Sequence, residues 1–523
     1  MLLYCIYICV SVLAFSKSFS CEAFWTVRDF RNKATADKSV SSKYLVKSLR
    51  AGSSDTFQNE EKKESSLHPT FLKQLRDEDD DSRTNKILIV MDGLCEYHGA
   101  YLIGRAIDDP NLANVVPVIS DYLRRVLLMT EPEEEERWNS LRIPSNPQEA
   151  SEWLSHFPKD SEIVAIYCES DSGLEEAEKL RELLNISCAD EPIYLPARRD
   201  KFLMNERVNQ NGLATANQKL CHSIDEASAF AEDLFDLAKK NGSTRPRVVV
   251  KPFRGVASES VYMCHSLDEV RDAWKAISSS LVFGSMNEDH HKTVLVQEFV
   301  EGVEYALDVV SCNGEHKIAA VWKYDKRPAN GASFVYFQTQ LIDLAMEPEL
   351  ASVFEYTRKV LSTLGIKYGL THNEIILTKD RDPVLVEVNC RQHNMDFCPL
   401  TMLCVGYNAL DMTMDALTGN PRWEMYPSEP ALRAFGAMVH LVNYETGPLS
   451  HVQHLDEISQ LPSFFEGEVY EKFQTEGVVI EPTIDIRSDA GWIQIVNEDL
   501  QQLEADYKEI VKRMPTMFQV EDS

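Results

Sequence analysis

Apolar and polar positions divide the chain from residue 86 onward into short strands and amphipathic helices. Between residues 174 and 184, Ala177 and three leucines recur on one side at helical spacing, which predicts a helix there. Continuous apolar runs predict buried strands at 86–94, 115–120 and 162–168. Strands that alternate with helices form parallel sheets. The pattern therefore predicts a parallel α/β domain over residues 86–197.

A second unit is predicted over residues 198–420, where helices and strands follow each other less regularly. Two capping boxes, Ser223-x-x-Glu226 and Ser266-x-x-Glu269, predict the starts of two helices. The dipeptide Asn313-Gly314 lies between two β-rich runs and predicts a tight hairpin. Further strands are predicted at 247–252, 261–264 and 294–310, with a hinge at Gly302, and one helix at 400–417.

The last segment, 421–523, is predicted to form an α+β domain. It alternates like a set of strands from Ala431 and contains a strand followed by a helix within 489–510. Trp492, at the centre of that strand, is interpreted as a core residue. The fold class that follows is α/β and α+β, with an N-terminal parallel α/β domain and a C-terminal α+β domain.

The first 85 residues have a different composition. Residues 1–15 are apolar but too short for a comfortable membrane span, and the segment up to Arg50 is rich in Ser, Lys and Arg and poor in acids. We therefore expect a leader over 1–50. An Ala23-Phe24 junction fits import into a plastid or another organelle, and a plain secretory signal is the alternative. Residues 51–85, with an acidic run at 76–81, predict a solvated linker.

Net charge and cysteine usage narrow the range of functions. The formal charge of −30 argues against a broad nucleic-acid or anionic-membrane surface, although a local basic pocket for phosphates is compatible with it. The 12 cysteines are scattered and include no CxxC pair, so neither a zinc site nor a disulfide framework is indicated. We expect small-molecule partners, no nucleic acid and no stable membrane span.

Two β-rich runs near Lys367–Arg391 carry the candidate chemistry. The turn 380–383 between them predicts a hairpin, and pairing Lys379 with Val384 places Glu374 opposite Asn389. Glu374, Glu387 and Asn389 then share one face. Three hard oxygen donors suit Mg²⁺ with bound phosphates, and Arg391 could bind a phosphate or carboxylate with two hydrogen bonds. An ordinary half-polar strand is the alternative.

Lys251 and His372 are two further candidate residues of the site. The strand at 247–252 ends at Lys251 and leads into a turn of small residues, which can surround phosphates with an ammonium group and backbone N–H groups. Strands also end in Lys-Pro without binding anything. Alternation places His372 on the face of the three oxygen donors, opposite Arg391, where it could accept a proton from an attacking amine. A structural strand histidine is the alternative.

Four stretches of the sequence resemble the ATP-grasp enzymes in their order and approximate spacing. They are Lys201, the turn KPFRGVASESV, the run QEFVEGVEY, and EVNCR. Within that superfamily the chain is similar to the L-amino acid ligases, including alanine–anticapsin ligase, over about residues 86–510. The resemblance implies a three-part architecture with ATP between two small α+β lobes, and it allows a homodimer.

The resemblance also implies a role for each matching residue. Lys201 and Lys251 would contact ATP phosphates, the backbone at Glu298 and Val300 would hold adenine, and Glu304 would hold the ribose hydroxyls. Glu374, Glu387 and Asn389 would bind Mg²⁺, or Mn²⁺ in its place, and Arg391 would stabilise the transferred phosphate. The phosphate turn departs from the family pattern, because it has a single glycine, Gly255, and carries Glu259.

These observations together predict an ADP-forming ligase that joins a carboxylate to an amine through an acyl phosphate. Amino acids are the expected substrates. Two alternatives stay open: an ATP-grasp enzyme that resembles biotin carboxylase or uses formyl phosphate, and a nucleotide-binding protein without turnover. The latter need not keep the full set of charged residues.

Overall fold

The computed structural model of the chain describes residues 84–93, 98–109, 111–253, 260–279, 293–379, 382–394 and 397–521. The predicted leader and the linker up to residue 83 lie outside these residues. The same is true of Gly255 and Glu259 in the predicted phosphate turn, and of Asp380 and Arg381 in the predicted hairpin turn.

A parallel sheet of three strands, in the order β2-β1-β3, confirms the predicted α/β unit. The strands are β1 (Lys86–Met91), β2 (Asn114–Val118) and β3 (Glu162–Cys168). The helices that accompany them are α1 (His98–Asp108), α2 (Asp121–Thr130), α3 (Glu135–Ser140), α4 (Pro147–Leu154) and α5 (Leu174–Leu183). Residues of β1 pack into separate apolar clusters on the two sides of the sheet, which explains why this strand is continuously apolar.

Helices α6 (Leu195–Arg199) and α7 (Lys201–Gln210) lead into a four-stranded antiparallel sheet with the order β4-β7-β5-β6. The strands are β4 (Gln218–Cys221), β5 (Val248–Pro252), β6 (Tyr262–Cys264) and β7 (Val294–Glu298). Helices α8 (Ile224–Lys240) and α9 (Leu267–Ser279) pack against this sheet. Both helices start at the predicted caps, where Ser223 and Ser266 accept N–H bonds from Glu226 and Glu269.

The largest sheet has eight strands in the order β12-β11-β8-β9-β10-β13-β17-β15. They are β8 (Val303–Cys312), β9 (Glu315–Ala329), β10 (Ala332–Leu341), β11 (Gly369–Leu377), β12 (Val384–Asn389), β13 (Phe435–His440), β15 (Phe464–Val469) and β17 (Gly491–Asn497). The predicted hairpin at Asn313-Gly314 joins β8 to β9. Both turn residues have positive φ angles, +50° and +81°, as a two-residue hairpin turn requires.

The two faces of this sheet differ at its β12 end. One face packs against α7 and against α10 (Leu350–Thr363) through an apolar cluster that includes Tyr305, Leu307 and Ile375. Because side chains alternate along a strand, the neighbouring positions Glu304, Asp308 and Glu374 lie on the opposite face. The sheet therefore has an apolar face for the core and a polar face for a site.

The predicted single helix over 400–417 is wrong. The structure contains two helices, α11 (Cys398–Cys404) and α12 (Ala409–Thr418). Gly406 between them has a φ of +102°, which is outside the helical region. Asn408 then starts α12 by accepting a hydrogen bond from the N–H of Asp411 at 2.8 Å.

The C-terminal part adds a three-stranded sheet with the order β16-β14-β18, and two helices. They are β14 (Gly447–Val452), β16 (Val479–Ile480), β18 (Phe518–Val520), α13 (Leu455–Ser459) and α14 (Leu500–Arg513). Trp492 is buried in an apolar cluster, which confirms its interpretation as a core residue. Strand β13 pairs with β10, so the large sheet continues across the boundary predicted at residue 420. The predicted domain limits stay predictions.

Two further observations concern the described residues as a whole. Their eight cysteines are all free thiols. Each helix in this part of the chain is too short or too polar to cross a bilayer.

Candidate active site

The hairpin of β11 and β12 has a different register from the predicted one. Glu374 lies opposite Glu387 rather than Asn389, and His372 lies opposite Asn389 rather than Arg391. The pairing is displaced by two residues, with an irregularity between Glu374 and Ile375. Because side chains alternate with a period of two, a displacement of two residues leaves Glu374 and Glu387 on the same face. The predicted positions thus converge although the predicted pairing was wrong.

Side chains around this pair of carboxylates form further polar contacts. Lys201, the first residue of α7, places its Nζ 2.6 Å from Oε2 of Glu387. Asn389 donates from its side-chain amide to Oε1 of Glu387 at 3.0 Å. Glu304 on β8 binds Nζ of Lys326 on β9 at 2.6 Å. Lys201 and Asn389 therefore both contact Glu387, and Glu304 forms a separate ion pair with Lys326.

Burial and charge together set the protonation of this cluster. Burial lowers the pKa of Lys251 to about 8, and Lys201 adds to the effect, while Glu387 and Glu374 oppose it. Burial raises the pKa of Glu304, although Lys326 partly compensates. Burial also opposes ionisation of Glu374, but the hydrogen bond from His372 and the charge of Lys326 outweigh it and lower the pKa. The buried charges depend on one another.

Arg391 links the cluster to the N-terminal sheet. Its Nε donates to Oδ2 of Asp171 at 2.7 Å, and its Nη1 donates to the carbonyl of Gln392 and to Oδ1 of Asn394. Asp171 lies in the loop after β3, at the carboxyl edge of the parallel sheet. Burial opposes its ionisation, but Arg391 and Arg199 lower its pKa. A charge-assisted bond therefore orients the guanidinium from a different domain of the predicted architecture.

The residues predicted to hold adenine lie where the two larger sheets join. Glu298 ends β7 and Gly302 immediately precedes β8. The carboxylate of Glu298 accepts bonds from the backbone and side-chain N–H groups of Asn217, at 3.1 and 2.7 Å. Val300 packs with Ala216 and Val384, which lie on the two sides of this junction. The structure gives the segment 298–302 a fixed position between the sheets.

His372 is buried between two carboxylates. Its Nδ1 lies 3.2 Å from Oδ1 of Asp308, and its Nε2 lies 3.5 Å from Oε1 of Glu374. Burial opposes protonation of the imidazole, but the hydrogen bonds to Asp308 and Glu374 raise its pKa to about 9. At neutral pH the ring is therefore protonated and donates on both sides. In this state it holds Glu374 in place and has no free nitrogen to accept a proton.

The sequence reasoning missed several residues of this site. Lys326, Asp308, Tyr324 and Asp171 all contact the predicted residues, and none was singled out. Asp308 carried a usable signal, because it is a charged residue within the otherwise apolar strand YALDVV. Lys326 carried little sequence signal, because a lysine near a strand end is usually exposed.

The donor chemistry fits a hard divalent cation with a nucleotide. Glu374 and Glu387 offer carboxylate oxygens side by side, and Asn389 adds an amide oxygen, which is the ligand type that Mg²⁺ and Mn²⁺ prefer. Glu387 already binds a cationic group, the ammonium of Lys201. Lys251 lies at the end of β5, next to the turn whose residues 254–259 are not described. The residues present therefore fit both ligands.

Three comparisons place this chain among known proteins. Residues 244–397 match the family model of the ATP-grasp domain. The chain is 30% identical over 230 residues to dapdiamide A synthase from Enterobacter agglomerans, a match that covers 44% of this chain and half of that relative's length. The solved structure of an L-amino acid ligase from Bacillus licheniformis superposes with a TM-score of 0.58 at 17% identity, covering 84% of this chain and all of the other.

A second solved structure shares the fold at a similar level. It is the carboxyaminoimidazole ribonucleotide synthase from Aspergillus clavatus, complexed with ATP, with a TM-score of 0.54 at 13% identity. It covers 82% of this chain and 99% of the other. At such identities a structural match shows the fold alone. Together with the family match it leads to one conclusion: residues 244–397 match the ATP-grasp domain, and the described chain has the fold of the ATP-grasp enzymes.

Proposed function

We propose that the protein is an ATP-dependent, ADP-forming ligase that joins a carboxylate to an amine through an acyl phosphate, with amino acids as substrates. The observation that carries the proposal is the cluster in which Glu374 and Glu387 face Lys201, with Arg391 next to them on the same strand segment. A curated relative named for the synthesis of dapdiamide A and a structural neighbour named as an L-amino acid ligase support it.

Lys201 and Lys251 are proposed to bind the nucleotide phosphates. Lys201 is held at the N-terminus of α7, where its backbone N–H donates to the carbonyl of Phe253. This bond ties the helix start to the end of β5 and so brings the two lysines to the same place. Burial lowers the pKa of Lys251 to about 8, and the nearby charge of Lys201 adds to the effect. An anionic phosphate bound there would favour the charged form of both lysines.

The remaining nucleotide contacts are proposed along the junction between the sheets. The backbone N–H of Glu298 donates to the carbonyl of Asn217. We therefore assign the adenine contacts of this segment to the carbonyl of Glu298 and the N–H of Val300. Glu304 is the proposed ribose contact. Lys326 balances the negative charge of its buried carboxylate.

Glu374, Glu387 and Asn389 are the proposed ligands of Mg²⁺, or of Mn²⁺ in its place. A divalent ion bound there would neutralise charge that develops on the transferred phosphoryl group. Arg391 is proposed to stabilise the same charge. Asp171 accepts a hydrogen bond from its Nε and thereby fixes the orientation of the whole guanidinium group. The carboxylate substrate would be phosphorylated, and the amine would then attack the acyl carbon and displace phosphate.

His372 is proposed as a positioning residue. The prediction that it accepts the amine proton remains untested, and its raised pKa argues for another role, since a protonated imidazole donates hydrogen bonds. Its bond to Glu374 fixes one of the proposed metal ligands.

Phosphate release from ATP tests the proposal. The full chain would be incubated with Mg²⁺ and a panel of amino acids, offered singly and in pairs. We expect ADP and phosphate only with productive pairs, and an amide product detected by mass spectrometry. Pyrophosphate and AMP would contradict an acyl-phosphate route. Release that depends on bicarbonate or formate would identify one of the alternative ATP-grasp reactions, and binding without release would identify a nucleotide-binding protein.

A further inference from the structure

A second cluster of metal-binding side chains lies beside the proposed nucleotide site. Asp308, His372 and His393 are all buried, and one ligand atom from each lies within 4.8 Å of the other two. Asp308 and His372 are directly opposite each other on β8 and β11. His393 comes from the segment that follows β12, four residues beyond Asn389. Three neighbouring segments of the large sheet thus deliver the three side chains to one point.

One ring nitrogen in this cluster lacks a partner. Nδ1 of His393 is buried and makes no hydrogen bond to any described residue, and its nearest carboxylate oxygen, Oδ2 of Asp308, is 3.8 Å away. That distance is beyond hydrogen-bond reach. A buried polar atom without a partner is costly, so such an atom calls for a specific explanation. Here it points toward the same carboxylate that Nδ1 of His372 contacts at 3.2 Å.

The spacing of these atoms suits a shared cation. Two ligand atoms bound to one Zn²⁺ at tetrahedral angles lie about 3.3 Å apart, given bond lengths near 2.0–2.1 Å. Nδ1 of His372 lies 3.2 Å from Oδ1 of Asp308, and Nδ1 of His393 lies 3.8 Å from Oδ2 of the same carboxylate. The two distances lie on either side of that value, so an ion between the nitrogens would face both carboxylate oxygens. The two imidazole rings are stacked with centroids 4.0 Å apart, so their Nδ1 atoms can approach one ion from the same side.

The groups around Asp308, His372 and His393 are arranged like the hydrogen-bond partners that surround metal ligands in proteins. Nε1 of Trp322 donates to Oδ2 of Asp308 at 2.7 Å. Nε2 of His393 lies 3.2 Å from the hydroxyl of Tyr324, and Nε2 of His372 faces the same hydroxyl and Glu374. Ligating histidines usually bind a carboxylate, hydroxyl or carbonyl through their second nitrogen, which fixes the ring. Each of the two imidazoles thus has such a partner on its second nitrogen, and Asp308 is held by Trp322.

We propose that Asp308, His372 and His393 bind one divalent transition-metal ion, with Zn²⁺ as the representative case. Two imidazoles and one carboxylate are a ligand set for zinc and its neighbours, whereas the all-oxygen set of Glu374, Glu387 and Asn389 suits Mg²⁺. The ion would replace the proton on Nδ1 of His372, while Nε2–H would still face Glu374. It would thereby hold the ring, and through it Glu374, in one position. It is therefore a positioning site that borders the nucleotide site without sharing a ligand with it.

Cobalt binding tests the proposal without any assay of turnover. The full chain would be stripped with a chelator, titrated with Co²⁺ and followed by visible absorption after gel filtration. We expect one retained Co²⁺ per chain, with the absorption of a site that contains nitrogen ligands, and its displacement by Zn²⁺. A chain that retains neither ion, or a spectrum that indicates oxygen ligands alone, would overturn the proposal.

Substitutions of the proposed ligands test where the ion binds. His393→Gln and Asp308→Asn should each weaken Co²⁺ binding by at least about tenfold. His440→Gln is the matched control, because His440 forms a buried pair with Asp489, at 2.8 Å, and no second histidine among the described residues completes a metal site there. It should leave one Co²⁺ bound, as should Glu387→Gln. Loss of the ion in Glu387→Gln but not in His393→Gln would place it at the carboxylate cluster and contradict the proposal. Circular dichroism checks folding, and the wild-type spectrum still decides if a variant fails to fold.

Discussion

At the scale of single residues, the site is a balance of buried charges. Glu374 and Glu387 lie opposite each other on adjacent strands, an arrangement that is unfavourable for two like charges. Lys201 bonds directly to one of them, and His372 to the other. Removal of any one charged group therefore leaves another buried without compensation. This balance leads to two predictions.

Glu387→Gln should abolish turnover, with a loss in kcat of at least about 100-fold, while the fold stays intact. The change keeps the side-chain volume but removes one charge from the proposed metal site and the partner of Lys201. Steady-state ADP formation at ordinary Mg²⁺ would measure the effect. Glu355→Gln is the control, since Glu355 is an exposed residue of α10 whose ion-pair partner among the described residues is Lys359 in the same helix. Near-normal activity of Glu387→Gln would refute the assignment.

ATP affinity should fall as the pH rises through about 8. An ammonium attracts phosphate only while it is protonated, and burial together with Lys201 lowers the pKa of Lys251 to about 8. Affinity should therefore be highest below this pH, and above it the loss should approach about tenfold per pH unit. Lys251→Arg, which stays charged, should remove this dependence in a calorimetric titration between pH 7 and 9. An equal slope in both proteins would show that another group controls binding.

At the scale of elements, two local features differ from expectation for identifiable reasons. In the β11–β12 ladder Val384 pairs with Ile376 rather than with Lys379, a displacement of three residues. The irregularity between Glu374 and Ile375 then reduces the displacement to two residues at Glu374. The break between α11 and α12 depends on Gly406, whose φ of +102° places it outside the region that other residues prefer. A Cβ at this position would lie 2.9 Å from Nη1 of Arg433.

Two glycine substitutions should act in opposite directions. Gly406→Ala should lower the free energy of unfolding by about 1–3 kcal/mol, because the backbone conformation becomes strained. Gly104→Ala should raise it by about 0.5–1 kcal/mol, because Gly104 lies inside α1 and an added Cβ would meet no atom within 4 Å. Thermal or chemical unfolding of the two variants measures the difference. Equal effects would indicate that the turn at Gly406 does not depend on glycine.

At the scale of the whole molecule, the site is assembled from residues that lie far apart along the chain. Asp171 of the N-terminal sheet orients Arg391, and α7 supplies Lys201 to a hairpin almost two hundred residues later. An isolated ATP-grasp segment of residues 244–397 would therefore lack Asp171 and Lys201. Oligomeric state, including the homodimer that the resemblance allows, stays a prediction.

Location in the cell is also a matter of the whole molecule. We propose that residues 1–50 direct the protein to a plastid or another organelle, because a leader combined with an ATP-dependent reaction favours a compartment that supplies ATP. A fusion of residues 1–60 to a fluorescent reporter should accumulate in that organelle. Fluorescence in the medium would support the secretory alternative, and a signal spread through the cytosol would exclude both routes.

The sequence by itself determined the local features of this protein. Apolar periodicity located the three parallel strands and helix α5, the two capping boxes located α8 and α9, and Asn313-Gly314 located its hairpin. Alternation was enough to place Glu374, Glu387 and Asn389 on one face. That prediction survived a wrong pairing, because it depends on the parity of the strand positions and not on the register. Such features are encoded within a few residues of each other.

Only the tertiary structure decided which distant residues meet. Lys326 reaches Glu304 across a strand pair, Asp171 reaches Arg391 from another sheet, and His393 joins Asp308 from 85 positions away. Their contacts depend on strand order, on one irregularity in a ladder and on how the N-terminal sheet packs, and none of these has a local pattern. The protonation of His372 follows the same rule, because its pKa is set by carboxylates that only the folded chain brings to it.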